Sequence, residues 1–354
     1  MSKVLLGVVA KERKETCKGS KNGYPIVGLE HLTPEEVTLS AWYDDKENSF
    51  TKLFRKGDVL FGRRRAYLKK AAVAPFDGIC SGDITVIEAI PEKILPELLP
   101  FIIQNDALFD FAIGKSAGSL SPRVKWEHLK NYEFELPDMD KQREMAKMLW
   151  AMDATKKSYQ KLLLKTDELV KAQFIEMFGD VFSDSTIWER APFDEVITDD
   201  TKNGCKIAKD DYLEEGQYPI IDQGQGYIAG YKNEPEGLYE RVPAIIFGDH
   251  TRILKYVDVP FFLGADGVKL LKCSRKDVNY IYLHYHLMLT DIPNTGYNRH
   301  FKWLKMLVLS IPPLKLQEQF ASFVLQSDKS KFELEQALAE LTATYKKVIS
   351  ENLG

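Results

Sequence analysis

The chain has 354 residues, 44% of them hydrophobic and 28% charged, with 48 Lys and Arg against 52 Asp and Glu for a formal net charge of −4. That length and composition suit about two globular domains with real cores, and the charge argues against a protein that coats nucleic acid indiscriminately. Apolar runs fall short of the 18 or so residues of a membrane span, residues 1–10 lack a secretory signal pattern, and Cys17, Cys80, Cys205 and Cys273 form no C-x-x-C pair or disulfide framework, so a cytoplasmic chain with reduced thiols is expected.

In chain order, Val4-Leu5-Leu6-Gly7-Val8 opens a first unit with a short lead. Tyr24-Pro25-Ile26-Val27 reads as a strand begun at a proline, where a missing N–H costs least. Residues 51–70 then concentrate Lys52, Arg55, Lys56, Arg63, Arg64, Arg65, Lys69 and Lys70 against the single acid Asp58. Inside that stretch Gly57-Asp58-Val59-Leu60-Phe61-Gly62 predicts a buried strand that stops at glycine and runs into a cationic turn. After Pro75-Phe76 and a turn at Gly82-Asp83 come a strand at 84–87, a helical stretch at 95–111 and a Gly/Ser-rich loop at 114–123. Lys125-Trp126 leads into a last strand ending at Pro137. The helix that follows places Met145, Leu149, Met152, Lys156, Tyr159, Leu163, Thr166, Val170 and Met177 on steps of four and three, with Gln173 between the last two. That spacing is a coiled-coil seam.

The same order then recurs. Trp188-Glu189-Arg190-Ala191-Pro192 enters a second unit, Tyr218-Pro219-Ile220-Ile221 matches the proline-led strand, and Val242-Pro243-Ala244-Ile245-Ile246-Phe247-Gly248 matches the glycine-stopped one. The cationic turn becomes Asp249-His250-Thr251-Arg252, followed by Pro260-Phe261, a turn at Asp266-Gly267, a strand at 268–271 and a helix at 278–289. A loop at 294–300 and Lys302-Trp303 lead to Pro312. The second seam runs through Phe320, Val324, Ser327, Lys331, Leu334, Leu338, Leu341, Tyr345 and Val348, offset by 320 − 145 = 175 positions. Pro137 and Gln142 repeat as Pro312 and Gln317, Asp153 as Asp328, and Gly179 as Gly354. One unit therefore occurs twice, with expected boundaries at 1–137, 138–180, 181–312 and 313–354.

This order, with its lead-ins ELPDMDKQ and SIPPLKLQEQ, resembles the specificity subunit of a type I restriction-modification system across essentially the whole chain. The resemblance implies an α+β fold of two target recognition domains, mixed strands with short helices, each followed by a long helix. The two helices would pack as an antiparallel coiled coil with internal pseudo-two-fold symmetry. It also implies a non-enzymatic protein that holds no cofactor and reads a split double-stranded DNA sequence, one domain per half-site. Two methyltransferase subunits and two restriction-translocase subunits would be its partners. Some 35 helical residues span roughly 50 Å, beyond one DNA turn of about 34 Å, so a non-contacted gap between half-sites is expected.

DNA reading asks for Arg and Lys on phosphates and a few planar side chains on base edges. In the first unit Arg63, Arg64, Arg65, Lys69, Ser119 and Arg123 fit that need. In the second, Gln223, Gln225 and Tyr227 form a flexible amide-bearing loop suited to adenine, joined by His250, Arg252, Arg299, His300 and Lys302. Tyr297 is a candidate for base stacking, whereas Tyr280, Tyr282 and Tyr285 sit at helical spacing and read as core. His284 and His286 point to different helix faces, which disfavours a metal. No methyltransferase N-P-P-F loop, Walker loop or catalytic triad signature is present, and Asp266-Gly267-Val268-Lys269 has one residue too many for a nuclease D-x-K. Leu162, Leu169, Phe174, Phe323, Leu325 and Phe332 lie outside the seam and are expected to dock partner subunits. The competing reading is a coiled-coil scaffold or regulator that does not itself touch DNA.

Overall fold

A computed structural model describes residues 2–19, 21, 23–44, 46–183, 185–264, 267–296 and 298–354. The chain divides into two compact units, one made of residues 1–161 with 334–354 and the other of residues 162–333. The boundaries thus fall inside the two long helices rather than at their ends, and each unit contains part of both helices.

The first unit runs β1 (Ser2–Leu5), α1 (Leu6–Val9), β2 (Ala10–Glu12), β3 (Ile26–Val27), β4 (Lys52–Phe54), β5 (Val59–Gly62), β6 (Ala71–Val73), β7 (Gly78–Cys80), β8 (Ile84–Ala89), α2 (Leu99–Ile103), α3 (Asp106–Gly114), α4 (Trp126–Leu129) and β9 (Glu133–Leu136), followed by α5 (Met139–Phe178). Strand β5 lies inside the sheet β2-β8-β5-β6 and all four of its residues are buried. A short apolar run bounded by glycines suits that fully covered position. A second sheet, β3-β7-β4, pairs β3 parallel to β7. The helical stretch expected to be continuous breaks at Gln104, and Asn105 restarts it by accepting from the Ala107 N–H at 3.0 Å, as an N-cap does.

In the second unit β10 (Glu189–Pro192), α6 (Phe193–Val196), β11 (Ile197–Asp199), β12 (Tyr218–Ile221), β13 (Gly230–Lys232), β14 (Ala244–Gly248), β15 (Leu254–Val257), β16 (Phe262–Leu263), β17 (Val268–Cys273), α7 (Tyr280–Leu289), α8 (Phe301–Leu304) and β18 (Val308–Ile311) precede α9 (Leu314–Leu353). Its sheets are β11-β17-β14-β15 and β13-β12-β16, with β12 parallel to β16. Each unit pairs its leading strand antiparallel with its closing strand, β1 with β9 and β10 with β18. In the first unit β1 and α1 stand where β10 and α6 stand in the second.

In each unit the start of one long helix lies beside the end of the other, the antiparallel arrangement. In the first, Phe101 meets Trp150 of α5 and Tyr345 of α9, at ring-centroid distances of 5.0 and 6.1 Å. In the second, Phe174 of α5 lies 5.3 Å from Phe320 of α9. Every seam position named above is buried or half-buried. The repeated glutamine locks each helix to its own unit. Gln142 Oε1 accepts from the Leu95 N–H at 2.8 Å and its Nε2 donates to the Pro137 carbonyl at 2.8 Å. Gln317 Oε1 accepts from the Asn279 N–H at 2.8 Å, while Nε2 donates to the Pro312 and Asp277 carbonyls at 2.6 and 3.0 Å.

Candidate nucleic-acid interface

The first unit's interface begins where β5 stops. The Gly62 N–H donates to the Lys70 carbonyl at 2.8 Å, and a Cβ at Gly62 would sit 3.0 Å from that oxygen. Glycine is what lets the two ends of the basic turn close. Between them Arg65 (φ 55°) and Lys69 (φ 50°) adopt left-handed backbone, unusual outside glycine, and enclose one tight turn at residues 66–68. Ala66 is buried, while Tyr67 and Leu68 are exposed.

The Gly/Ser loop is fastened to this turn. Ala117 and Arg123 exchange both backbone hydrogen bonds, at 3.0 and 2.9 Å, with Gly118 at φ +114°. That closes a tip bearing Ser119 and Leu120, both exposed. The Arg65 N–H donates to the Pro122 carbonyl at 2.8 Å and the Val124 N–H to the Arg63 carbonyl at 3.0 Å, while Arg64 Nε donates to Ser121 Oγ at 2.5 Å. Asp83 sits between two guanidiniums, 2.7 Å from Arg123 Nε and 3.5 Å from Arg64 Nη1. Hydrogen bonds from Arg123 hold its carboxyl below the usual range. Both arginines nonetheless keep about 40% of their side-chain surface in solvent, so donors remain for a ligand. Arg65 is exposed, and Arg63 Nε is buried without a hydrogen-bond partner among the described residues.

Lys69 faces elsewhere. Its Nζ lies 2.5 Å from Asp106, which pushes the ammonium up, and it lines a cavity with Tyr345 and Lys346 of α9.

The second unit makes the same join with different chemistry. The Gly248 N–H donates to the Ile253 carbonyl at 2.8 Å and the Arg252 N–H to the Gly248 carbonyl at 2.7 Å, with Arg252 at φ 63°. Asp249, 4% exposed, then holds the second loop. Its carbonyl accepts from the His300 N–H at 2.8 Å and lies 2.9 Å from His300 Nδ1, and its carboxylate accepts from the Phe301 N–H at 2.7 Å. Gln223 also joins this cluster, Oε1 accepting from the His250 N–H at 3.3 Å and its carbonyl from Thr251 Oγ1 at 2.8 Å. Arg252 Nη1 donates to the Ile292 carbonyl at 2.9 Å. Arg299 and Lys302 are exposed, the latter's Nζ 5.1 Å from the Trp303 ring centroid. Tyr297 and Asp266 lie outside the described residues.

Several expectations are corrected. Tyr227, expected on a flexible amide-bearing loop, is 47% exposed but is tied down at its hydroxyl. Its hydroxyl donates to the Tyr256 carbonyl at 2.7 Å, burial pushes the phenol up to about 12, and with Gln225 it lines a cavity beside α7 and α9. Phe174 is not on an outer face, being 1% exposed among Phe178, Tyr282 and Phe320, and Phe323 packs against the same cluster. Leu162, Leu169, Leu325 and Phe332 do stand in solvent, 49–58% exposed. His300, expected to join the reading loop, is fully buried. The joining acids Asp83 and Asp249 were missed as such. For Asp249 the signal available was an acid placed inside the cationic turn, whereas Asp83 stands apart from its turn, beside Gly82.

A family model for the type I restriction modification DNA specificity domain matches the chain twice, over residues 8–164 and 187–342. The specificity subunit of the Escherichia coli type I restriction enzymes EcoR124I/EcoR124II is 28% identical over 102 residues, which is 28% of this chain and 25% of that relative, so the aligned stretch spans a quarter of the relative's length. Among solved structures, the S subunit of a type I restriction-modification system from M. genitalium superposes with a TM-score of 0.63 at 14% identity, covering 100% of this chain and 96% of that one. A chain from a structure on complex assembly and conformational transition of the type I R-M system gives 0.59 at 20% identity, covering 99% and 97%. At these identities the structures bear on fold alone, and they agree with the one described.

Proposed function

The chain belongs to the type I restriction modification DNA specificity family, and from that premise we propose that it reads a bipartite DNA sequence, one unit per half-site, for methyltransferase and restriction-translocase partners. It is a non-catalytic member of such a system, and the chemistry comes from the subunits it directs. The observation that supports the reading is the join made in both units, where a glycine-stopped strand delivers a turn hydrogen-bonded to a second, arginine-bearing loop. Two loops fixed to one another before binding give DNA a surface that loses little entropy on contact.

In the first unit Arg64, Arg65, Arg123 and Ser119 would meet the duplex, Arg63 supporting them from beneath. In the second, Arg252, Arg299 and Lys302 would do so, Gln223 and His250 shaping the turn. Each arginine placed on a guanine edge is worth about 1–3 kcal/mol of discrimination. The exposed Leu162, Leu169, Leu325 and Phe332 are proposed to dock partner subunits, two methyltransferases and two motor-nucleases. Among the described residues no helix is long and apolar enough to cross a membrane, and action on DNA in the cytoplasm is proposed.

The test is methylome sequencing of a host expressing the chain with its methyltransferase. Arg64→Ala/Arg65→Ala/Arg123→Ala should erase or relax one half of the methylated motif, and Arg252→Ala/Arg299→Ala the other. An unchanged motif and methylation level in both variants would overturn the reading.

A further inference from the structure

Beside α7 and α9 in the second unit lies a cavity of about 510 Å³ for which the DNA reading has no use. Tyr227, Tyr256 and Tyr285 line it, and Asp258 and Asp328 share the same walls. Burial raises all three phenols, and the acids add to it, Asp258 acting on Tyr227 and Tyr256, and Asp328 with Asp167 on Tyr285. The carboxylates are therefore within electrostatic reach of the rings.

Two lysines also line the cavity, and both are engaged. Lys255, 5% exposed, donates to the Asp222 and Gly226 carbonyls at 2.8 and 2.6 Å. Lys331 donates to Asp167 at 2.8 Å and offsets only part of the charge on Asp328, whose carboxyl burial still pushes up.

His284 supplies an independent sign of a ligand. Its ring lies 5.5 Å from that of Tyr285 and 6.5 Å from that of Tyr256. Burial holds the imidazole neutral, pushed down to about 4, and Nδ1 is buried with no hydrogen-bond partner among the described residues. A buried polar atom left without a partner is costly to the fold and uncommon in native structures.

We propose that this cavity binds an organic cation, a guanidinium or primary-ammonium group on a short apolar stem. The tyrosine faces attract positive charge, and the two carboxylates balance it. In the tautomer that leaves Nδ1 unprotonated, and with the ring turned so that this atom meets the cavity, His284 accepts one N–H. Ile281, Val324 and Leu325 cover the stem. An anion would face Asp258 and the only partly offset Asp328, and a neutral ligand would cover these carboxylates without pairing them. The inference goes beyond the DNA reading and does not depend on it.

The test titrates n-propylguanidinium and n-butylammonium into the full chain, with n-propylurea as the neutral isostere, by calorimetry and by the ¹⁵N signal of His284. Saturable millimolar binding of the cations is expected, about ten-fold tighter than the urea. Asp258→Asn and Asp328→Asn should each weaken it on the order of five-fold, the worth of one half-exposed ion pair. Tyr285→Phe keeps the ring and should keep the affinity, which separates a lost site from a lost fold. Arg252→Ala/Arg299→Ala should leave cation binding intact, so failure here and failure of the DNA reading are distinguishable. A helical peptide bearing one arginine that binds about ten-fold tighter than propylguanidinium assigns the cation to a protein partner, and equal binding assigns it to a free amine. Equal affinity for the urea, indifference to both acid substitutions, or no saturation below about 50 mM would overturn the proposal.

Discussion

Replacing Gln317 by leucine tests whether the repeated glutamine joins helix to domain or faces a partner. Leucine has similar bulk and no polar atoms, so the Asn279 N–H and the Pro312 and Asp277 carbonyls would lose their hydrogen bonds at 2.8, 2.6 and 3.0 Å. The Pro312 bond is fully buried and the other two are partly so. Stranding a buried group costs about 1–3 kcal/mol, and two half-wet groups add about 1 kcal/mol each. A loss of about 3–5 kcal/mol is therefore expected, reduced slightly by the apolar side chain. Gln142→Leu removes only the Leu95 and Pro137 bonds and should cost about 2–4 kcal/mol. Urea unfolding gives the totals, and hydrogen exchange of the Asn279 amide, whose protection should collapse in Gln317→Leu alone, localises the effect. An unshifted midpoint with Asn279 still protected would refute the reasoning and return the motif to a partner-facing role.

Burial pushes His286 down to about 4 and its Nε2 accepts from the Ser310 N–H at 3.3 Å, so it folds neutral, whereas the unfolded residue takes a proton near 6.5. Between those values the unfolded chain binds the extra proton, so stability falls as pH drops through this window and is unaffected above it. His286 contributes a loss of about 1.4 kcal/mol per pH unit, read as a urea midpoint lower at pH 5 than at pH 7.5, and His286→Gln should remove that share of the slope while the like share of His284 remains. At Gly248 a Cβ would meet Thr251 Oγ1 at 2.2 Å and Gln223 Cβ at 2.9 Å, so Gly248→Ala should cost about 1–3 kcal/mol and blur one half of the methylated motif only. Leu325→Asp/Phe332→Asp should leave stability within about 0.5 kcal/mol while abolishing co-purification with the methyltransferase subunit, whereas Phe174→Ala should cost about 3–5 kcal/mol. Equal stability losses in the two would remove the distinction between exposed and packed positions.

The seam of α5 and α9 was legible because periodicity is a local property, and every position from Met145 to Met177 and from Phe320 to Val348 named on it is covered. The glycine-stopped strands were legible for a related reason, since Gly62 and Gly248 answer to turn closures within eight residues. Phe174 was misread because a heptad identifies the face one helix shows another and says nothing about what Tyr282 of α7 covers from the side. The pairing of Lys69 was not legible because its partner Asp106 stands 37 residues on. Tyr227 turned toward α7 and α9 for the same kind of reason, its hydrogen bond reaching 29 residues along the chain to Tyr256. Composition located the basic loops, and only the fold decided which cations remain available.

The two units keep one joint and build it from unlike side chains. In the first, backbone pairing of Arg65 with Pro122 and the exposed Asp83–Arg123 pair hold the loops together. In the second the joint is Asp249, buried and serving His300 and Phe301. An exposed ion pair contributes at most about 1 kcal/mol, whereas removing the Asp249 carboxylate strands the buried Phe301 N–H at about 1–3 kcal/mol. The second joint is thus the stiffer of the two, and its displayed residues, Arg299 and Lys302, can change without touching what fixes them. In the first unit Arg64 and Arg123 both display charge and hold the joint. Substitution there alters the reading surface and its support together, so the first half-site should be harder to redirect by single changes than the second.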